Sequence, residues 1–84
     1  VADYYLLSKP HCPLCDQAKL LVEQAMQQAV QSPATGWRLH VVDITQQPEL
    51  LAEYAWLIPV LVRASDDAEL RWPFATALED FLIA

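Results

Sequence analysis

Apolar residues in this chain fall into short blocks separated by prolines and turn residues, and the spacing inside each block distinguishes strand from helix. Tyr4 to Leu7 is a continuous aromatic and aliphatic run that stops at Ser8-Lys9-Pro10, which predicts a buried strand followed by a loop. A helix is expected to start near Cys12, with Pro13 at its first position, where a missing N–H costs nothing. Leu14, Ala18, Leu21, Val22, Ala25 and Ala29 recur at helical spacing and predict one apolar face, with Gln24, Gln27, Gln28 and Gln31 on the other side. Ser32-Pro33-Ala34-Thr35-Gly36 breaks the chain. Beyond it, Trp37 to Ile44 is rich in β-branched and aromatic residues and predicts a second strand. Pro48 opens a second helix through Glu49, Leu50, Leu51, Glu53 and Tyr54. Ile58-Pro59-Val60-Leu61-Val62 predicts a third strand, with Pro59 at its start because proline cannot donate to a ladder. Ser65-Asp66-Asp67 is a turn, after which Glu69 to Trp72 returns as a fourth strand. Pro73 is expected to open a last helix, with Phe74, Leu78, Phe81 and Leu82 as its apolar stripe.

The order strand, helix, strand, helix, strand, strand, helix predicts an α/β fold. The first strand–helix–strand unit requires a right-handed crossover and parallel pairing, and the Ser65 hairpin adds an antiparallel edge. A four-stranded mixed sheet flanked by three helices (βαβαββα) accounts for every element. The 84 residues make a single domain, 1–84. Hydrophobic residues form 55% of the chain and Gly36 is its one glycine, so it has the composition of a core-former and not of a disordered segment. The aromatic residues Trp37, Trp56, Trp72, Tyr4, Tyr5 and Tyr54 are expected to be core or half-buried packing, with Trp72 alone near the chemistry described below. Asp43 and Asp16 are expected as a strand-end cap and a helix-start charge.

Charge narrows the function classes. Five Lys or Arg stand against eleven Asp or Glu, for a formal net charge of −6, and no basic run occurs. Nucleic-acid and anionic-membrane surfaces are therefore not expected as partners. The start, Val1-Ala2-Asp3-Tyr4-Tyr5, lacks the basic and apolar regions of a targeting segment, so a cytoplasmic location is expected, with a monomer as the default state at this size.

The chemistry lies in Cys12-Pro13-Leu14-Cys15, the only two cysteines of the chain, placed where loop becomes helix. The thiolate is the reactive form of cysteine, and the unpaired N–H groups of a helix N-terminus favour it. Cys12 stands at that mouth and is the expected nucleophile. Cys15, one turn further in, is the expected resolving thiol, since residues three apart on a helix are near enough to bridge after a small adjustment. A zinc site is an alternative, but it needs four ligands and only His11 and His40 remain as soft donors, so no metal is expected. A purely structural disulfide is the other alternative, disfavoured in a reducing compartment.

Ser8-Lys9-Pro10-His11-Cys12-Pro13-Leu14-Cys15, together with Val42-Asp43-Ile44 and Ile58-Pro59-Val60, resembles the glutaredoxins of the thioredoxin superfamily. The resemblance covers nearly the whole chain and is nearest to a group of short glutaredoxin-like proteins. It implies a thioredoxin-like fold and a thiol–disulfide oxidoreductase that reduces protein or glutathione mixed disulfides. It implies catalysis by Cys12 and Cys15, and substrate binding by Lys9, Ile58 and Pro59, with Pro59 cis and facing the sulfurs. It implies no bound cofactor, with glutathione as a candidate co-substrate and disulfide-containing proteins as partners. The family usually carries an aromatic residue where Leu14 stands, and many members have a Gly-Gly pair where this chain has Arg71-Trp72-Pro73-Phe74. Pro73 offers no N–H there, which weakens an anion site at that helix mouth. A non-catalytic thioredoxin-fold binding module, or a metal or cluster adaptor, is the alternative reading.

Overall fold

Strand β1 (Ala2–Ser8) lies inside the sheet, and the rest of the molecule is arranged around it. The computed structural model describes residues 2–28, 36–74 and 77–83. After β1 come α1 (Pro13–Gln28), β2 (Trp37–Asp43), a 3-10 turn (Ile44–Gln46), α2 (Pro48–Tyr54), β3 (Val60–Arg63), β4 (Ala68–Arg71) and α3 (Ala77–Ile83). The sheet order is β2-β1-β3-β4. β1 and β2 are parallel, pairing Ala2 with Trp37 and Ser8 with Asp43, while β1–β3 and β3–β4 are antiparallel. This is the predicted α/β architecture, a four-stranded mixed sheet with three helices and a thioredoxin-like fold.

Alternation along β1 and β3 sends successive side chains to opposite faces, so the core has two parts. On one face Tyr4, Leu6 and Leu61 pack with Ala18 and Val22 of α1, with Leu78 and Leu82 of α3, and with Phe74. On the other, Leu7 and Val60 pack with Ile44 and with Tyr54 of α2. The C-terminal carbonyls of α3, which have no partner inside their own helix, are met from the sheet. Tyr4 Oη donates to Leu82 O at 3.0 Å, Trp37 Nε1 to the same oxygen at 3.3 Å, and Arg63 Nη1 to Phe81 O at 2.8 Å. These bonds fasten the last helix across three strands.

Several expectations are corrected. The buried stripe of α1 is Cys15, Ala18 and Val22, with Ala25 and Met26 partly covered, whereas Leu14 and Leu21 are exposed. The small residues face the sheet, which lets helix and sheet approach closely. Ile44 does not extend β2. Asp43 Oδ1 accepts from the Thr45 N–H at 2.9 Å and from its hydroxyl at 2.6 Å, and the chain turns there instead of continuing the strand. Pro73 does not open α3, whose described residues begin at Ala77, and Phe74 is a buried anchor ahead of the helix. Trp56, expected to pack, is 98% exposed. Ala29, Gln31 and the Ser32–Thr35 part of the predicted break lie outside the described residues.

Candidate functional site

Three connections meet at one end of the sheet. β1 leaves it at Ser8, which is buried, and continues through Lys9 and Pro10. The β1–β3 register, extended by one residue, sets Pro59 beside Ser8. The Trp72 N–H donates to Pro59 O at 3.2 Å, bringing the segment after β4 to the same place. The Ile58–Pro59 and Trp72–Pro73 peptide bonds are both cis.

Between Lys9 and α1 the chain reverses through His11, whose φ of 59° lies in the left-handed region that non-glycine residues seldom adopt. That reversal delivers Cys12 to the mouth of α1. The Cys12 carbonyl accepts from the Asp16 N–H at 3.1 Å, the first bond of the helix. Its Sγ accepts from the Cys15 N–H at 3.2 Å. Cys12 thus fills the N-cap position, with its sulfur in the place where a serine or aspartate oxygen usually receives the N3 amide. Pro13 follows at the position where a missing donor costs nothing.

Cys12 and Cys15 are joined as a disulfide with their α-carbons 5.2 Å apart, inside the usual range for a bridge. Their environments differ. Cys12 is half-buried, whereas Cys15 is 4% exposed, on the buried face of α1. A reagent arriving from solvent therefore meets the first sulfur and not the second. Opened by two electrons, the pair would leave a sulfur facing water with a backbone amide aimed at it, which favours the anion over the neutral thiol.

The other predicted residues are distributed around this pair. Lys9 is exposed at the end of β1 and is absent from the ion pairs found among the described residues. Pro59 is fully buried and Ile58 half-buried. The Ile58 N–H is engaged by the Tyr54 carbonyl at 3.2 Å, and the Leu57 N–H by the same oxygen at 2.9 Å. What Ile58 can present to another chain is therefore its carbonyl. Tyr54 is fixed in turn, its hydroxyl donating to Glu69 Oε2 at 2.6 Å, and that carboxylate together with burial pushes the phenol up to about 12. Trp72 is half-buried with its ring edge-on to Phe74. Among the described residues no three His, Cys, Asp or Glu side chains gather as a metal site requires, and no helix is long and apolar enough to cross a membrane.

A family model described as Glutaredoxin-like domain (DUF836) matches residues 4–80. The chain belongs to this glutaredoxin-like family. The X-ray structure of the structural-genomics target protein XcR50 from X. campestris is 27% identical and superposes with a TM-score of 0.73, covering 95% of each chain. No match to a curated protein was found. The protein is therefore a glutaredoxin-like domain whose Cys12–Cys15 pair lies within disulfide distance. Two features of this glutaredoxin-like domain escaped the sequence pattern. The left-handed turn at His11 carries no glycine to mark it, and Trp56 sits among apolar neighbours that suggested packing.

Proposed function

We propose that this glutaredoxin-like protein is a thiol–disulfide oxidoreductase that reduces protein or glutathione mixed disulfides through Cys12 and Cys15. One observation carries the reading: the accessible Cys12 Sγ is held by the Cys15 N–H at the start of α1, with its buried partner bonded to it. In the reduced state the Cys12 thiolate attacks a substrate sulfur. A bond forms between them, the substrate's own disulfide breaks, and its second sulfur leaves as a thiolate that takes a proton. Cys15 then loses its proton and attacks Cys12 Sγ. The mixed disulfide breaks, the substrate thiol departs, and the Cys12–Cys15 bridge holds the two electrons' worth of oxidation. A low-molecular-weight thiol or a protein dithiol returns the pair to the reduced state, as the reducing cytoplasm would supply.

Lys9 supplies positive charge near the entering substrate, and Ile58, backed by the buried Pro59, forms the wall against which an extended segment would lie. In this reading the protein acts as a monomer without a bound cofactor. The test is turnover of a glutathione-capped peptide with glutathione or a thioredoxin-type dithiol as reductant. Wild type turns over, Cys12→Ser does not, and Cys15→Ser accumulates a mixed disulfide on Cys12 visible by mass. No turnover by wild type with either reductant overturns the proposal.

A further inference from the structure

We infer that Trp56 is a specificity-determining residue that docks the protein segment flanking the attacked disulfide, favouring cysteines with an apolar or aromatic side chain nearby. The inference rests on the reading of Cys12 as the attacking sulfur. Trp56 is 98% exposed, so the largest apolar side chain available to a protein stands wholly in water, with no contact inside the chain to offset its hydration. Isolated exposed apolar residues are ordinary, but this one stands three residues before Pro59, in the connection that leads from α2 into β3, and is continuous with the segment proposed to receive the substrate. Leu14, between the two cysteines, is 46% exposed, and Leu51, one turn before the end of α2, is 39% exposed.

The base under Trp56 is fixed. The Ala55 N–H donates to Leu51 O at 3.1 Å, and the Leu57 and Ile58 amides both donate to Tyr54 O. Tyr54 itself is tied to β4 through Glu69. An aromatic side chain on a rigid turn loses little freedom when it is covered, which makes it an efficient anchor for a partner. Three α-carbon steps separate Trp56 from Pro59, so the two lie within about 11 Å of each other. Along an extended chain at about 3.4 Å per residue, a side chain no more than about three residues from a cysteine seated beside Pro59 would meet Trp56.

Beyond the exposed cations Lys9 and Arg71, the same end of the molecule offers little to a small dicarboxylate such as glutathione. The Trp72 N–H is engaged by Pro59 O, Pro73 has none, and the first turn of α3 carries Glu79 and Asp80. With a formal net charge of −6 on the whole chain, the surroundings disfavour anions further. Apolar contact from a longer polypeptide is what the surface supplies.

The experiment uses two peptides, each disulfide-linked to a second cysteine, identical except for Phe or Ser two residues from the attacked cysteine, with glutathione disulfide as the small reference. Wild type is expected to favour the Phe peptide over the Ser peptide by about tenfold in kcat/KM, expressed in KM, and to favour it over glutathione disulfide. Trp56→Ala is expected to erase the difference between the peptides, and Trp56→Phe to keep most of it. A difference of equal size in wild type and Trp56→Ala, or a preference of wild type for glutathione disulfide, overturns the inference. If wild type turned over none of the three, the proposed activity would fall while docking was still decided by fluorescence. The Phe peptide with its cysteine replaced by serine should blue-shift the emission of wild type and leave that of Trp56→Phe unchanged. No shift in wild type, or a shift of equal size in Trp56→Phe, overturns the inference.

Discussion

The hydrogen bond from Tyr54 to Glu69 joins the helix before the Ile58–Pro59 loop to the outer strand of the sheet, and Tyr54→Phe removes it while keeping the ring. The bond is 2.6 Å long and charge-assisted, but the Glu69 side chain is 30% exposed and water can replace part of it. The loss at neutral pH is therefore about 1–1.5 kcal/mol, below the usual range for a fully buried charged acceptor. For a domain of this size that lowers Tm by roughly 5–10 °C. Glu69→Gln, which keeps an acceptor oxygen, should cost less. The pH dependence has a definite sign. The folded phenol, pushed up to about 12 by the Glu69 carboxylate and then by burial, ionises above its ordinary value. Its contribution is thus complete below pH 10 and lost as pH rises from about 10 through 12. At pH 11 the wild type gives up about 1.4 kcal/mol relative to Tyr54→Phe, so the two melting temperatures should converge near that pH and reverse above it. Measuring Tm for both proteins from pH 7 to 11.5 isolates Tyr54 from groups that titrate in both. A difference that stays constant across that range would refute the argument.

Other expectations are simpler to state. After reduction, iodoacetamide should modify Cys12 about tenfold faster than Cys15, because an amide favours the first thiolate and packing covers the second sulfur; equal rates in peptide mapping would contradict the site. His11→Val, placing a β-branched residue at a φ of 59°, should cost about 1–2 kcal/mol, whereas His11→Gly should change stability by less than about 1 kcal/mol, both read from urea midpoints. Leu61→Ala, at a fully buried position of β3, should destabilise by about 2–5 kcal/mol and lower Tm by more than 10 °C.

The element order was legible because each break is chemically marked. Prolines open α1 and α2 and precede β3, and the Asp66–Asp67 turn closes the hairpin. The misread boundaries have physical causes. Leu14 and Leu21 fit a helical stripe as well as Cys15, Ala18 and Val22 do, and periodicity alone does not reveal that the sheet selects the smaller side chains. Ile44 has strand propensity, but the capping bonds of Asp43 decide the turn. Pro73 has the look of a helix opener, yet Phe74 is drawn into the core ahead of α3. The Cys12–Cys15 bridge was legible, because it needs only the spacing and the helix start. The loops around it were not, since their positions depend on pairing between strands far apart in sequence.

That dependence bears on how the site works. The Cys12 segment is fixed locally, by the His11 reversal and the first bonds of α1. The Ile58–Pro59 segment beside Ser8 is fixed remotely, by Tyr54, Glu69 and the Trp72 amide, which reach it from α2, β4 and the segment after β4. If the proposed function holds, changes in the remote set should alter how a substrate is held while leaving the readiness of the Cys12 sulfur untouched. Tyr54→Phe provides the means to separate the two: Cys12 alkylation in the reduced protein should proceed at the wild-type rate, with any change in turnover appearing in KM. A slowed alkylation would mean that the two halves of the site are one mechanical unit, with α1 as dependent on the distant strand as the proline loop is.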